Sequence, residues 1–400
     1  MSIRRRISAL RETDQQQETK VAYISIIIPD YKVWIVEALG KIFGDRFTAI
    51  HGKERAGTVP RDVGEAINIR RNIVVRNRYL LIGNLEFTWI PSFWWTIRHD
   101  PDVVVLIDQV KIISNYPIHL WMKIRGRRVV YYSHGFNHQA TLKNLSWLPR
   151  LVERIRLFNL RRASAIVVYD SRGKQHLLQN GVTCPIYASN NTLDTRPILQ
   201  FYRDYDGETC GKVIRQELGI PTEAFVITFL GRLIPEKRVD FMIEVVKELS
   251  RRFGNAVCGL IIGDGPERER LQLLANGEQI IFTGYQSGDD LRRLLSMSDA
   301  IFLPGLVGLA IVEAFCAGKP FITVDHDFHS PEICYLHNGQ NGVLIPSFNV
   351  NLAVDRIVHL MEDRRFFEQV SKNAAHTATT ECGPEVMEKA FIEAIGLAPS

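Results

Sequence analysis

Short β-branched runs recur along this chain at helix-long intervals, and that alternation restricts the fold more than any other feature. VAYISIII (21–28), DVVVLI (102–107), RVVYYSHG (128–135) and SAIVVYD (164–170) are followed by further runs at 225–230, 257–262, 280–283, 300–303 and 321–324. Amphipathic stretches between them predict helices near 32–43, 114–125 and 171–179. Strands alternating with helices build parallel sheets covered by helices. The rhythm breaks between about 186 and 224, where Asn190-Asn191-Thr192, Pro197, Asp204–Gly207 and Pro221 fall. A chain of 400 residues exceeds one ordinary core, so two α/β domains meeting at that break are expected. The expected limits are a flexible tail at 1–20, an N-terminal domain at 21–188, a C-terminal domain at 189–383, and a last helix at 384–400 able to cross back to the first domain.

The six cysteines are scattered without a CxxC pair, which suits a reduced compartment and argues against a zinc or disulfide framework. No apolar run approaches membrane-spanning length, and the first twenty residues are polar with Arg4-Arg5-Arg6, so neither a spanning helix nor a signal peptide is expected. Charge is divided unevenly. Residues 1–200 hold 30 Lys+Arg against 16 Asp+Glu, and residues 201–400 hold 19 against 28. A basic first half points to an anionic partner; nucleic acid, lipid headgroups and phosphate-linked substrates all carry the right sign. Within that half lie the aromatic stretch Thr88–Trp95, Trp121, and an Arg-rich helical segment at 149–162. Arg150, Arg154, Arg156, Arg161 and Arg162 flank a face of Leu151, Val152, Ile155 and Phe158, while Leu157 and Leu160 point elsewhere. Such a segment reads as an interfacial helix or as a core helix edged with cations; with the charge imbalance, peripheral membrane contact from the cytoplasmic side is the expectation, and nucleic acid is not.

Ligands of open parallel sheets gather beyond the carboxyl ends of the strands. After the strand ending near Leu230 come Gly231, Arg232 and, five residues on, Lys237. A guanidinium fork and an ammonium form a clamp for a diphosphate, unless they pair with Glu236 or Asp240 on a solvated turn. After the strand at 300–303, Gly305, Leu306, Val307, Gly308 and Leu309 lead into a helix, where backbone N–H groups attract anions and glycines admit a ligand closely. Glu313 is a carboxylate in the small, apolar segment AIVEAFCAG; two ribose hydroxyls would satisfy it if it is buried. IIFTGY sets Gly284 and Tyr285 at another strand end, and His134 in Ser133-His134-Gly135 stands at a fourth, able to donate to a sugar or departing phosphate. Asp108 and Asn137 occupy similar places and rank lower. Gly263-Asp264-Gly265 is not a dinucleotide fingerprint, and the pairs Asp204/Asp206 and Asp325/Asp327 are too common in loops to imply a metal.

GRLIPEK, IIGDGP, FTGY, SDAIFLP, GLAIVEAF-AGKP-IT and VDHDFHSPEI…NGQNGVLIP, over roughly 225–346, together resemble the carboxyl domain of the retaining glycosyltransferases of family 4. The first half fits more loosely, through SHG and the strand–helix pair at 164–182. The resemblance implies the GT-B fold, two Rossmann-like domains facing a central cleft. It implies that Arg232 and Lys237 bind the donor diphosphate and that Glu313, the second Glu of an E-x7-E motif, holds the ribose. The first Glu of that motif falls on Gly305, so the sugar must be held otherwise, by the 306–309 amides or by the other domain. The implied activity is retaining transfer of a sugar from a nucleotide diphosphate donor to a glycan or lipid-linked acceptor in cell-surface polysaccharide synthesis, without cofactor or metal. A non-catalytic nucleotide-sugar or glycan binder on the same scaffold is the alternative, which the missing Glu favours.

Overall fold

The computed structural model describes residues 18–53, 67–83, 85–135, 147–276, 279–327 and 329–396. The tail expected at 1–20 therefore lies, as far as Gln17, outside the described residues, as does Asn137. Two compact units form. One takes the described residues up to Asn191 together with those from Glu385 onward; the other is Thr192–Pro384.

The first unit runs β1 (Val21–Ser25), α1 (Asp30–Phe43), β2 (Phe47–Gly52), β3 (Asn72–Val75), β4 (Arg78–Ile82), β5 (Leu85–Trp89), α2 (Phe93–His99), β6 (Val103–Ile107), α3 (Asn115–Ile124), β7 (Arg128–Ser133), α4 (Trp147–Leu160), β8 (Ala165–Val168), α5 (Ser171–Gln179) and β9 (Ile186–Ala188). Its seven-stranded sheet has the order β3-β2-β1-β6-β7-β8-β9, and every pair is parallel, with Val21 opposite both Phe47 and Val103. The strands VAYIS and VVVLI bury residues on both faces, as a sheet covered on two sides requires. On one face Ile35, Val36, Leu39 and Phe43 of α1 pack with Val103, Val105 and Val167; on the other Ile118, Met122, Leu157 and Leu160 pack with Val104, Leu106 and Ile166. β4 and β5 form a separate antiparallel hairpin.

The second unit runs α6 (Thr195–Asp204), α7 (Gly207–Glu217), β10 (Phe225–Leu230), α8 (Val239–Phe253), β11 (Val257–Ile262), α9 (Arg268–Leu274), β12 (Ile280–Gly284), α10 (Gly288–Ser296), β13 (Ala300–Phe302), α11 (Ala310–Cys316), β14 (Phe321–Val324), β15 (Gly342–Ile345), α12 (Val350–Glu362) and α13 (Arg364–Thr380). Its six strands lie in the order β12-β11-β10-β13-β14-β15, again all parallel. The crossover order puts β10 beside both β11 and β13, so the loops after these three strands share one edge of the sheet. α14 (Pro384–Ile395) sends Met387, Phe391, Ala394 and Ile395 into the core of the first unit, and Arg128 donates to the Ala394 carbonyl at 3.1 Å.

Six strands went unread in the sequence: β2, β3, the hairpin pair, β9 and β15. β2 (FTAIHG) carries Thr48 and His51, polar residues that hide its burial; His51 is sealed by Gly52 O at 3.0 Å and Asn72 Oδ1 at 2.9 Å. In the acidic doublet, Asp206 caps α7 through Thr209 N (3.2 Å), and Asp204 accepts from Gln200 (2.7 Å).

Candidate functional site

The loop after β10 begins with a close approach of two backbones. Gly231 donates to Ile262 O and Gly263 to Gly284 O, which stitches the ends of β10, β11 and β12 into one rim. A Cβ on Gly263 would stand 1.8 Å from Gly231 O, so this contact exists only because residue 263 has no side chain. Gly284 and the exposed Tyr285 form the far end of the rim. Arg232 is exposed, and no hydrogen bond or ion pair engages its guanidinium among the described residues. The turn-pairing alternative fails: Asp240 is taken by Arg238, at 3.2 Å.

Lys237 closes a short 3-10 turn, Pro235–Lys237. Its ammonium reaches across to the loop after β13, donating to the carbonyls of Leu306 and, at 3.3 Å, Val307. Burial pulls its pKa down to about 8 against the opposing pull of Glu332. The return bonds run from Gly305 N to Lys237 O (3.1 Å) and from Leu306 N to Glu236 O (3.0 Å). Gly308 N donates to Ser330 Oγ at 2.7 Å.

Those bonds correct the expectation for 305–309. The amides of Gly305, Leu306 and Gly308 are already committed, which leaves Val307 and Leu309 as the loop amides without a hydrogen bond among the described residues. Residue 305 also cannot be anything larger than glycine, since a Cβ there would meet Glu236 O at 2.1 Å. The missing carboxylate is therefore a consequence of how the two loops interlock. The helix that follows is only Ala310–Cys316, two turns, so its dipole is modest.

Glu313 lies in the first turn of that helix with Oε2 buried and unbonded. Desolvation pushes its carboxyl up to about 7, and Arg292 opposes the shift. Burial raises the phenol of Tyr202 in α6, and the nearby Glu313 charge adds to the shift. Arg232 and Lys237 thus share one loop, and Lys237 is tied to the loop that starts the Glu313 helix. Sequence reasoning missed the segment after β14: Ser330 and the buried Glu332 come up against Lys237 and Gly308, and the only sequence signal was that SPEI closed a family-like stretch.

In the first unit His134 stands exposed just past β7, its ring stacked on Tyr169 at 4.0 Å and 3°. Tyr169 stacks in turn on Tyr132 at 4.7 Å. Beneath them the buried Lys32 ammonium lies 5.0 Å from both rings and donates to the Tyr132 hydroxyl at 2.6 Å and to Asn191. The residues flanking His134 are clamped. Ser133 donates to Asp108, and Arg156 bonds Asp108 (2.6 Å), Gly135 O (2.9 Å) and Glu153 (2.7 Å). Arg156 is thus an inward anchor, correcting its assignment to a cationic helix edge; its neighbours Leu151, Val152, Ile155 and Phe158 do face solvent.

Residues 212–377 match the family model of glycosyl transferases group 1. Alpha-D-kanosaminyltransferase of Streptomyces kanamyceticus is 28% identical over 181 residues, 44% of this chain and 46% of that protein. Sulfoquinovosyl transferase SQD2 of Arabidopsis thaliana is 26% identical over 234 residues, 57% and 44%. The chain spans about half the length of the curated relatives it matches. Among solved structures, Anabaena HepE in complex with UDP and glucose superposes with a TM-score of 0.68 at 18% identity over 94% of this chain and 99% of that one; WaaG, a glycosyltransferase involved in lipopolysaccharide biosynthesis, gives 0.62 at 15% over 94% and 100%. The fold is GT-B, two α/β units with parallel sheets.

Proposed function

We propose that this chain is a hexosyltransferase-type glycosyltransferase that moves a sugar from a nucleoside diphosphate sugar to a hydroxyl of a glycan or lipid-linked acceptor, with retention of anomeric configuration, in cell-surface polysaccharide biosynthesis. The observation that carries this reading is the cation pair after β10: an uncommitted Arg232 beside a desolvated Lys237, at the strand ends where α/β sheets take their ligands. The pair supplies the charge that a leaving diphosphate develops, which is stabilisation by donors already in place. The orphan Oε2 of Glu313 accepts a ribose hydroxyl, and Tyr285 offers a ring at the rim for the base. His134, held flat on Tyr169, donates to the sugar or its phosphate.

Transfer proceeds on one face of the sugar: the C–O bond to the diphosphate breaks, the acceptor oxygen bonds the anomeric carbon, and the departing phosphate oxygen takes the acceptor's proton. A glycosyl adduct trapped on a side chain and seen by mass spectrometry would contradict this step. The charge needed is assigned to the two side-chain cations, with no cofactor in the scheme. Relatives named for lipopolysaccharide core biosynthesis and for alpha-monoglucosyldiacylglycerol synthesis support an acceptor of the glycan or glycolipid class. The basic first half, with the solvent-facing stripe of α4, supports work at the cytoplasmic face of an anionic membrane. Among the described residues no helix is long and apolar enough to cross one.

The test is a thermal-shift panel of nucleoside diphosphates and their sugars, in which bound ligand raises the melting temperature. Arg232→Ala is expected to lower transfer about 10²–10³-fold. No stabilisation by any nucleotide would end the reading. The second reading, a binder without catalysis, draws on Gly305; it predicts stabilisation by a nucleotide sugar with neither transfer nor hydrolysis in a clean preparation.

A further inference from the structure

The β4–β5 hairpin is the part of the first unit that the proposed chemistry leaves unused. Its strands form a two-stranded sheet of their own, from Arg78 opposite Trp89 to Ile82 opposite Leu85. Its tie to neighbouring structure runs through Thr88, which is bridged to Ile112. A strand with one face on a core hides every second residue. Here Leu80, Leu81 and Ile82 are exposed in succession, Leu81 at 68%, and Leu85 across the turn is exposed too. Among the described residues neither face of these strand ends is covered.

The charge beside the tip has one sign. From Arg71 to Trp95 the chain holds three arginines, Arg71, Arg76 and Arg78, against a single acid, Glu86. All three arginines are exposed, and Arg76 and Arg78 enter no ion pair among the described residues. The helices that follow carry exposed apolar groups as well: Trp94 of α2 at 77%, and Leu120 and Ile124 of α3. α2 and α3 pack together over the sheet face that also carries Leu157 and Leu160 of α4.

From these placements we infer that the β4–β5 hairpin is a wedge that enters an anionic bilayer, with Leu80, Leu81, Ile82 and Leu85 among the acyl chains and Arg76 and Arg78 at the headgroups. The inference rests on the membrane contact proposed above and names the element that makes it. A bilayer fits better than a protein partner for two reasons. A hairpin tip offers four apolar side chains where a stable protein interface takes roughly 20–30 residues a side. A second copy would bring an equally basic first half to the same face, whereas anionic lipid is attracted by it. Apolar burial with a cationic collar is what interfacial binding consists of.

Flotation of the full chain with phosphatidylcholine vesicles, with and without phosphatidylglycerol, tests this. Binding is expected only with phosphatidylglycerol and should weaken as salt rises. Leu81→Asp with Ile82→Asp should cut partitioning at least about tenfold, and Arg76→Glu with Arg78→Glu should remove the preference for phosphatidylglycerol. Melting temperature and its response to nucleotide should stay unchanged in both, because these side chains are exposed and belong to no core cluster among the described residues. Wild-type partitioning in both double variants would overturn the wedge while leaving membrane contact elsewhere standing. Absence of vesicle binding by the unaltered chain would overturn both. A dimer in light scattering that the Asp pair dissolves would also overturn the wedge, by making the tip a self-contact. Loss of the nucleotide response in the unaltered chain would instead strike the transferase reading, so the two failures separate.

Discussion

On the function proposed above, Glu313 and Lys237 set opposite pH limits on the same ligand. A ribose hydroxyl donates best to an ionised carboxylate, and Glu313 ionises at about 7. A diphosphate needs an ammonium, and Lys237 keeps its proton up to about 8. Nucleoside diphosphate affinity should therefore peak between those values and fall on both sides, as calorimetric titration across pH 5–10 would reveal; a flat profile would remove both residues from the site. Glu313 also makes a separable stability claim. Its folded pKa is raised above the ordinary value of 4.5, so its stabilising share is full below 4.5 and is lost as pH rises through about 7. The shift corresponds to about 3 kcal/mol at most. Glu313→Gln should accordingly melt higher than the parent at pH 8, differ little at pH 4.5, and bind nucleotide more weakly at pH 8. A residue that costs the fold and serves the ligand has that signature; a variant that loses stability at pH 8 would mark Glu313 as an ordinary structural carboxylate.

The loops after β10, β13 and β14 act as one element. Lys237 holds the carbonyls of 306 and 307, Glu236 and Lys237 hold the amides of 306 and 305, and Ser330 holds Gly308. Gly305→Ala forces a Cβ onto the Glu236 carbonyl at 2.1 Å, an overpacking worth about 1–3 kcal/mol in unfolding free energy. It should also weaken nucleotide binding, because Lys237 moves with the loop. Denaturant melts and titration check both; an Ala variant as stable as the parent would show that the interlock has slack. Much of this was legible in the sequence. The strand–helix rhythm located β6, β7, β8 and most of the second sheet, and GRLIPEK set Arg232 and Lys237 at a strand end. What could not be read was long-range. Gly305 registered as a missing acid, because the Glu236 carbonyl that forbids a side chain there lies in another loop. Arg156 registered as one of five cations on a helix, because its partners Asp108 and Gly135 come from strand ends 48 and 21 residues away. The hairpin went unread, with only its last residues Thr88 and Trp89 falling in the aromatic stretch, since three exposed apolar residues in a row match no strand with a buried face.

At the scale of the molecule, the chain does not end where its second sheet ends. α13 finishes at Thr380, and α14 then returns to the first unit, where Met387, Phe391 and Ile395 are buried beside Tyr132, Val130 and Val167. Phe391 meets the Tyr132 ring at 5.1 Å, and Tyr132 carries the Lys32 contact and the Tyr169 stack beneath His134. Fully burying side chains of this size contributes about 1.5–3 kcal/mol each, and a whole domain is stable by only about 5–15 kcal/mol. A chain stopped after Gly383 should therefore lose most of the stability of its first unit, although every residue of that unit's sheet is still present. The second unit, whose core takes no residue from α14, should keep its own transition. Calorimetry of the shortened chain should show the transition of the second unit, still shifted upward by a nucleoside diphosphate, with the other lost or moved far down. Transfer activity should vanish even so, since the platform under His134 goes with the helix. If both transitions survived in place, the last helix would be an accessory, and the stack beneath His134 would have to stand without Phe391.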